Sequence, residues 1–418
     1  MKITLLLLTA GVICSFTTLA VFAGANASHS YPGGVEADLW VLAGQSNMAG
    51  AGLITREYPA NPKIMTFDMS NEWVPAIPPT HTIFSATARV FKNLAFATNP
   101  ALTEEQWKTI MEAEKTKHFG GVGPDLSFAD SIVSCTGHNI GLIPCARGAT
   151  SMADWDPASR DQGDLSLYGN MIERIKMVGG KIKGVLWYQG ESETGSQAAI
   201  NRFQEAFLNL VDSIRRDTGI PDLPFIYVQI SRTCLENHDT EAGWEMIRDK
   251  QRRVAAMRRN LWVVSAVDLP LDDLIHISAL GQERLGKRMA EVALTHVYNI
   301  TGHGTPMDFE SYEILPALDD LHNRMRVKFS GVTGALQANG RPTGFEFRPE
   351  DPKRNGPMVF KVEFDPNDPS SVIVWYTSPI RTPVKLYYGL GLNPYVNITD
   401  SRDMAIPAFG PITIQPKH

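Results

Sequence analysis

The sequence predicts an α/β protein, a parallel sheet with helices on both faces, followed by a smaller antiparallel β unit. Three observations predict it. Short apolar runs alternate with amphipathic helical stretches between residues 38 and about 296, the pattern of repeated βαβ units. From about Met307 the period changes to short alternating runs separated by Gly, Pro, Asn and Asp, which describes a small antiparallel β-sandwich. The chain has 418 residues, 43% hydrophobic and 20% charged, an ordinary globular composition with room for a large core.

The N-terminus comes first in order. Lys2 precedes an apolar run from Ile3 to about Ala23, and Ala25-Asn26-Ala27 offers a small-x-small cleavage signal. This reads as a secretory signal peptide over residues 1–27, so the mature protein is expected to be secreted or periplasmic with no remaining membrane span. A main unit over 28–305 and a β-rich unit over 306–418 follow. Leu39 to Ala43 are apolar throughout, as in a strand buried on both faces. Gly44 and Gly50 allow a sharp turn around Gln45-Ser46-Asn47, with Asn47 suited to cap the next helix.

Residues 51–118 are irregular and Pro-rich at first, and read as surface loops over the site. Gly121-Val122-Gly123-Pro124-Asp125 starts a helix with Phe128, Ile132 and Val133 on its buried side and Pro124 in its first turn. Strands are expected over Asn139–Ala146, Ile182–Tyr188, Phe225–Ile230 and Leu261–Val267. Helices are expected over Leu167–Val178, around Phe203–Ile214, over Trp244–Met257 and through Leu285–Ala293, each striped at helical period. Beyond Met307, strands are expected over Met325–Phe329, Gly344–Arg348, Met358–Phe364, Val372–Thr377 and Val384–Gly389.

Charge excludes one class of partner. The net charge is −6 with Lys and Arg scattered, which gives no footprint for nucleic acid. Of four cysteines, Cys14 lies in the leader. Cys135, Cys145 and Cys234 show no CxxC spacing, so neither a disulfide framework nor a zinc site is indicated. A Cys135–Cys145 bridge is allowed but not required, and no metal or other cofactor is expected.

The polar clusters that carry chemistry each follow an expected strand, so they gather along one edge of the sheet. Ser46 follows the first, Gly148 the second, Gln189 and Glu191 the third, and Asp273 with His276 the fifth. Acyl transfer needs a nucleophile, a base, an acid to hold the base and donors for the oxyanion. Ser46 supplies the nucleophile and His276 the base. Asp273 stands three residues, about one turn, from the histidine and can hold it. Ser46 and Gly148 offer backbone N–H groups and Gln189 an amide side chain. Read singly, each cluster also has a plain structural role as a cap or a turn; the set together is what points to catalysis.

Gly44-Gln45-Ser46-Asn47-Met48, Arg147-Gly148-Ala149-Thr150-Ser151, Trp187-Tyr188-Gln189-Gly190-Glu191-Ser192 and Asp273-x-x-His276 resemble the four blocks of the SGNH-hydrolase superfamily. More narrowly they resemble its sialate O-acetylesterase and acetylxylan esterase branch of carbohydrate esterases. Gly121-Val122-Gly123-Pro124 fits the same branch, and Val384 to Pro407 resembles loosely the β-domain of the sialate esterases. The resemblance implies a flavodoxin-like sheet and a serine esterase that removes O-acetyl groups from a carbohydrate. It implies Ser46 as nucleophile, Gly148 as second oxyanion donor, Gln189 in place of a common asparagine, and His276 as base. Superfamily precedent favours Asp273 as the acid, while some members of the branch point to Glu191. The branch carries Gly-Gly-Thr where this chain has Gly148-Ala149-Thr150, preceded by Arg147, a candidate contact for an anionic sugar. Two rivals remain. A short-chain or lipid esterase would use an apolar groove, for which Phe67, Trp73 and Phe84 are candidates. A non-catalytic carbohydrate-binding protein would not need the full set of nucleophile, base and acid.

Overall fold

The computed structural model describes residues 29–98, 101, 103, 105, 106, 109, 121–235, 240–319, 321–351 and 353–416. The apolar leader and its cleavage signal lie outside them. Among the described residues no helix is long and apolar enough to cross a membrane.

Seven strands form the main sheet: β1 (Ala37–Gly44), β2 (Ile64–Phe67), β3 (Trp73–Pro75), β4 (Asn139–Pro144), β5 (Gly184–Tyr188), β6 (Phe225–Gln229) and β7 (Leu261–Ser265). Their order is β3-β2-β4-β1-β5-β6-β7, parallel throughout except for β3 at one edge. Helices Asp125–Thr136, Leu167–Met177, Gln197–Thr218, Glu241–Val254 and Ala279–His296 cover its faces. The central strand is the most apolar because both its faces are covered: Trp40 to Ala43 are fully buried. Strand β1 lies where the chain turns from one half of the sheet to the other, between β4 and β5. In open sheets the crevice for a ligand forms at the carboxyl ends of such strands.

The expected helices and parallel strands appear within a few residues of their predicted limits. The stretch 51–118 differs. It contributes β2, β3 and helix Arg89–Thr98 as well as loops, so it completes the edge of the sheet. Phe67 is fully buried there, and Trp73 is half-buried with its indole N–H donating to the carbonyl of His29. Both pack in or against the core. Cys135, Cys145 and Cys234 are free, with Cys145 buried; no Cys135–Cys145 bridge forms.

The C-terminal region holds a four-stranded antiparallel sheet and a three-stranded one, besides a two-stranded ribbon of β10 (Gln337–Ala338) and β15 (Ile398–Thr399). The larger runs in order β12 (Val359–Phe364), β13 (Ser371–Tyr376), β9 (Asn323–Ser330), β8 (Asp308–Leu315). The smaller is β11 (Phe345–Pro349), β14 (Val384–Tyr388), β16 (Phe409–Ile414). In β9, burial alternates strictly, with Met325, Val327 and Phe329 inward, as a strand with one covered face requires. Phe329 meets Phe345 and Phe409, and Phe347 meets Tyr376, with ring centroids 5.3 to 6.5 Å apart, so aromatic rings fill the space between the sheets. This region docks on the main sheet through buried polar contacts. Arg288 reaches Asp268 at 2.7 Å and the carbonyl of Asp403, and the Gln229 amide pairs with the backbone of Ala408.

Candidate active site

The site begins at the end of β1. Gly44 has φ +124°, and a Cβ there would fall 2.2 Å from the carbonyl of Tyr188, so only glycine fits. The turn it allows carries Ser46 into the first position of a one-turn helix, Ser46–Ala49. At that position the Ser46 N–H has no acceptor within the helix, and the residue is half-buried.

A loop after β7 brings in the histidine. His276 Nε2 lies 2.9 Å from Ser46 Oγ, and Nδ1 lies 2.6 Å from Asp273 Oδ2. The other carboxylate oxygen accepts the N–H groups of Ile275 and His276 at 2.8 and 2.7 Å, which fixes the Asp273 side chain in its own turn. Burial by itself pushes the Asp273 carboxyl up. The N–H of Ile275 and the imidazole outweigh it and hold the carboxyl below the usual range. Asp273 is therefore ionised at neutral pH, and Nδ1 carries its proton toward it, which leaves Nε2 free to accept one from Ser46.

The other candidate acid stands elsewhere. Glu191 Oε1 accepts the Asn47 amide at 2.9 Å, and burial raises its carboxyl above the ordinary glutamate value. Asn47 in turn accepts the N–H of Ile277 at 3.0 Å, and its carbonyl accepts the Gln282 amide at 2.9 Å. Glu191 thus meets the histidine loop through Asn47, not through the imidazole. The sequence suggested Asn47 as a helix cap; its side chain instead ties the nucleophile turn to the histidine loop.

Gly148 lies beside the nucleophile: a Cβ built on it would sit 3.4 Å from Ser46 Cβ. Gln189 differs from its expected role as an oxyanion donor. Its amide nitrogen donates to the Thr150 carbonyl at 3.2 Å and to Glu193, so both hydrogens are used inside the fold and the side chain is fully buried. A residue that ends a buried strand pointing inward has no route to the crevice. Glu193, passed over in the sequence, receives that bond and also accepts the Met152 N–H at 2.6 Å. A second carboxylate two residues after Glu191, both closely following the apolar run that ends at Tyr188, was the available signal. Arg147 is half-buried; among the described residues its guanidinium makes one hydrogen bond, to the Gly148 carbonyl at 3.0 Å, and Nε is buried without a partner. Burial lowers its guanidinium below the usual value. Three more deeply buried arginines, Arg174, Arg248 and Arg288, each hold two or more acceptors. Arg147 alone among these lacks a distant partner among the described residues.

The arrangement can accept a proton from Ser46 and carry it on an imidazole held by a carboxylate, with the backbone of Gly148 beside the serine. Among the described residues no group of three His, Cys, Asp or Glu is placed to hold a metal ion.

Known proteins share this chain's main unit. A probable carbohydrate esterase of Arabidopsis thaliana is 28% identical over 265 residues, which cover 62% of this chain and 90% of the relative. The crystal structure of a carbohydrate acetylesterase from Xanthomonas citri superposes with a TM-score of 0.62 over 89% of this chain and 80% of that one. At 19% identity, that likeness speaks for the fold. Residues 36–295 match the family described as carbohydrate esterase, sialic acid-specific acetylesterase. The chain belongs to this family and is a carbohydrate esterase.

Proposed function

We propose that this carbohydrate esterase is an exported serine enzyme that removes O-acetyl groups from a saccharide, sialate or polysaccharide, through an acetyl-enzyme on Ser46. The observation that carries the reading is the line Asp273, His276, Ser46, bonded at 2.6 and 2.9 Å. The catalytic unit would span residues 28–305, with the β-rich unit 306–418 packed against it.

Each step follows from that line. Ser46 Oγ attacks the acetyl carbonyl carbon while His276 Nε2 takes its proton. The carbonyl oxygen becomes an oxyanion and receives the N–H groups of Ser46 and Gly148. Asp273 stabilises the imidazolium. The C–O bond to the sugar then breaks, and the imidazolium returns its proton to the departing oxygen. Water repeats the sequence on the acetyl-enzyme and releases acetate. Arg147, a cation with one neutral partner beside Gly148, is the candidate contact for an anionic group on the sugar, because an under-partnered guanidinium is costly without a ligand.

Acetate release tests the reading on O-acetyl sialate, acetylated xylan and a short-chain lipid ester. Turnover on one or both saccharides at least tenfold above the lipid ester is expected. Turnover on the lipid ester alone would move the function to a lipid esterase. Saccharide binding without acetate release would make it a binding protein.

A further inference from the structure

Glu193 is a buried carboxylate that the acyl-transfer steps do not use. It is 2% exposed, and a buried carboxylate without a task is unfavourable. Its bonds reach across from the end of β5 to the loop that follows β4. One oxygen accepts the N–H of Met152 at 2.6 Å; the other accepts the Gln189 amide, which also holds the Thr150 carbonyl at 3.2 Å. That loop needs holding. Ala149 stands in the left-handed region at φ +58° and is exposed, a conformation unfavourable for any residue with a Cβ. Within the loop, the Thr150 hydroxyl donates to the Arg147 carbonyl at 2.7 Å, and the Trp155 indole reaches that hydroxyl at 3.1 Å. These bonds tie it to itself. The bonds to Glu193 and Gln189 tie it to the sheet.

We propose that Glu193 is a positioning residue: through the Met152 N–H and the Gln189 amide it fixes the loop that presents the Gly148 N–H beside Ser46. The inference rests on Ser46 as nucleophile and Gly148 as oxyanion donor. Glu193 and Glu191 then divide the work of one turn. Glu193 holds the oxyanion arm, and Glu191, through Asn47, holds the histidine arm.

The test compares Glu193→Ala, Glu193→Gln, Gln189→Ala and Glu193→Ala/Gln189→Ala with the full-length wild type. The substrate is an aryl acetate, and phenylboronic acid serves as a tetrahedral adduct of the serine. Loss of one oxyanion donor costs about 100- to 1,000-fold in kcat, so a displaced donor should cost roughly 30- to 100-fold. Glu193→Ala is expected to lower kcat by that factor with KM within twofold and to weaken boronate inhibition equally. The double variant should be no worse than Glu193→Ala, since both residues act on one loop. Glu193→Gln keeps the volume and one acceptor, and should lie between; it serves alone if Glu193→Ala does not fold. A kcat within threefold of wild type, or a fall in thermal stability with kcat and boronate affinity unchanged, would overturn the inference. Fluorophosphonate labelling separates this from failure of the underlying reading. Wild type unlabelled at Ser46 would refute the nucleophile, whereas labelled wild type with an unaffected Glu193→Ala refutes only the positioning role.

Discussion

Replacing Asp273 by Asn should damage turnover far more than replacing Glu191 by Gln. In Asp273→Asn one amide oxygen can still accept the N–H groups of Ile275 and His276, now at 2.8 and 2.7 Å, so the turn should survive. The NH2 group then faces His276 Nδ1, where Asp273 Oδ2 stands at 2.6 Å. Two donors cannot meet, so the imidazole is driven to the tautomer that protonates Nε2, and Ser46 loses its base. Where the orienting acid is buried, the same change costs about four orders of magnitude. The Asp273 side chain is 52% exposed, and water screens part of the imidazolium stabilisation. We therefore expect a loss of about 1,000-fold in kcat, ~4 kcal/mol of barrier. Glu191→Gln keeps the acceptor for Asn47 and should cost about one to two orders at most. Both are assayed on an aryl acetate at one and the same alkaline pH. If Glu191→Gln is the more severe by tenfold or more, the acid is Glu191, and the argument from distance fails.

Three further outcomes follow from particular residues. Exhaustive chelation with EDTA should leave kcat unchanged, since every proposed step runs through protein groups; loss of activity restored by a divalent ion would contradict the mechanism. Burial pushes the Glu193 carboxyl up to about 7 from an ordinary 4.5, so between those values the folded state binds more protons than the unfolded state. Stability should fall as pH rises through that window, by up to about 3 kcal/mol. Urea unfolding of Glu193→Gln should show the variant gaining on the wild type from pH 4.5 to 8, and parallel curves would refute the shift. Ala149→Gly relieves a left-handed alanine worth about 1–2 kcal/mol against about 0.4–1 of added unfolded-state entropy. A net gain of up to about 1.5 kcal/mol in urea unfolding is expected, and a destabilised variant would refute it.

What the sequence made legible was what simple periodicity encodes. The buried strands over Leu39–Ala43 and Phe225–Ile230 and the helix stripe through Phe203, Phe207 and Leu210 each bury one continuous apolar set, and such sets show in the order of residues. The juxtaposition of the candidate residues was legible to the same depth: Ser46, Gly148 and the Asp273–His276 turn follow strand ends, and the parallel sheet gathers them. What was hidden depended on direction. Gln189 stands directly after β5, a fitting place for a donor, but its side chain turns inward to Thr150 and Glu193, and only the fold fixes that. The sheet edge at Ile64–Phe67 was obscured by the prolines around it, because a four-residue strand pairing with β4 needs a partner before its pattern means anything. Asn47 is a good cap by type, yet Glu191 and the Ile277 N–H, distant in sequence, claimed both ends of its amide.

The central claim is that acetyl transfer passes through Ser46. The most direct measurement is mass spectrometry of peptides from enzyme quenched during turnover of an acetylated saccharide. An acetyl increment on the peptide carrying Ser46 is expected. It should be absent in Ser46→Ala, whose fold by circular dichroism is unchanged. Acetate release at the wild-type rate by Ser46→Ala, or an acetyl group recovered on a different residue, would contradict the account.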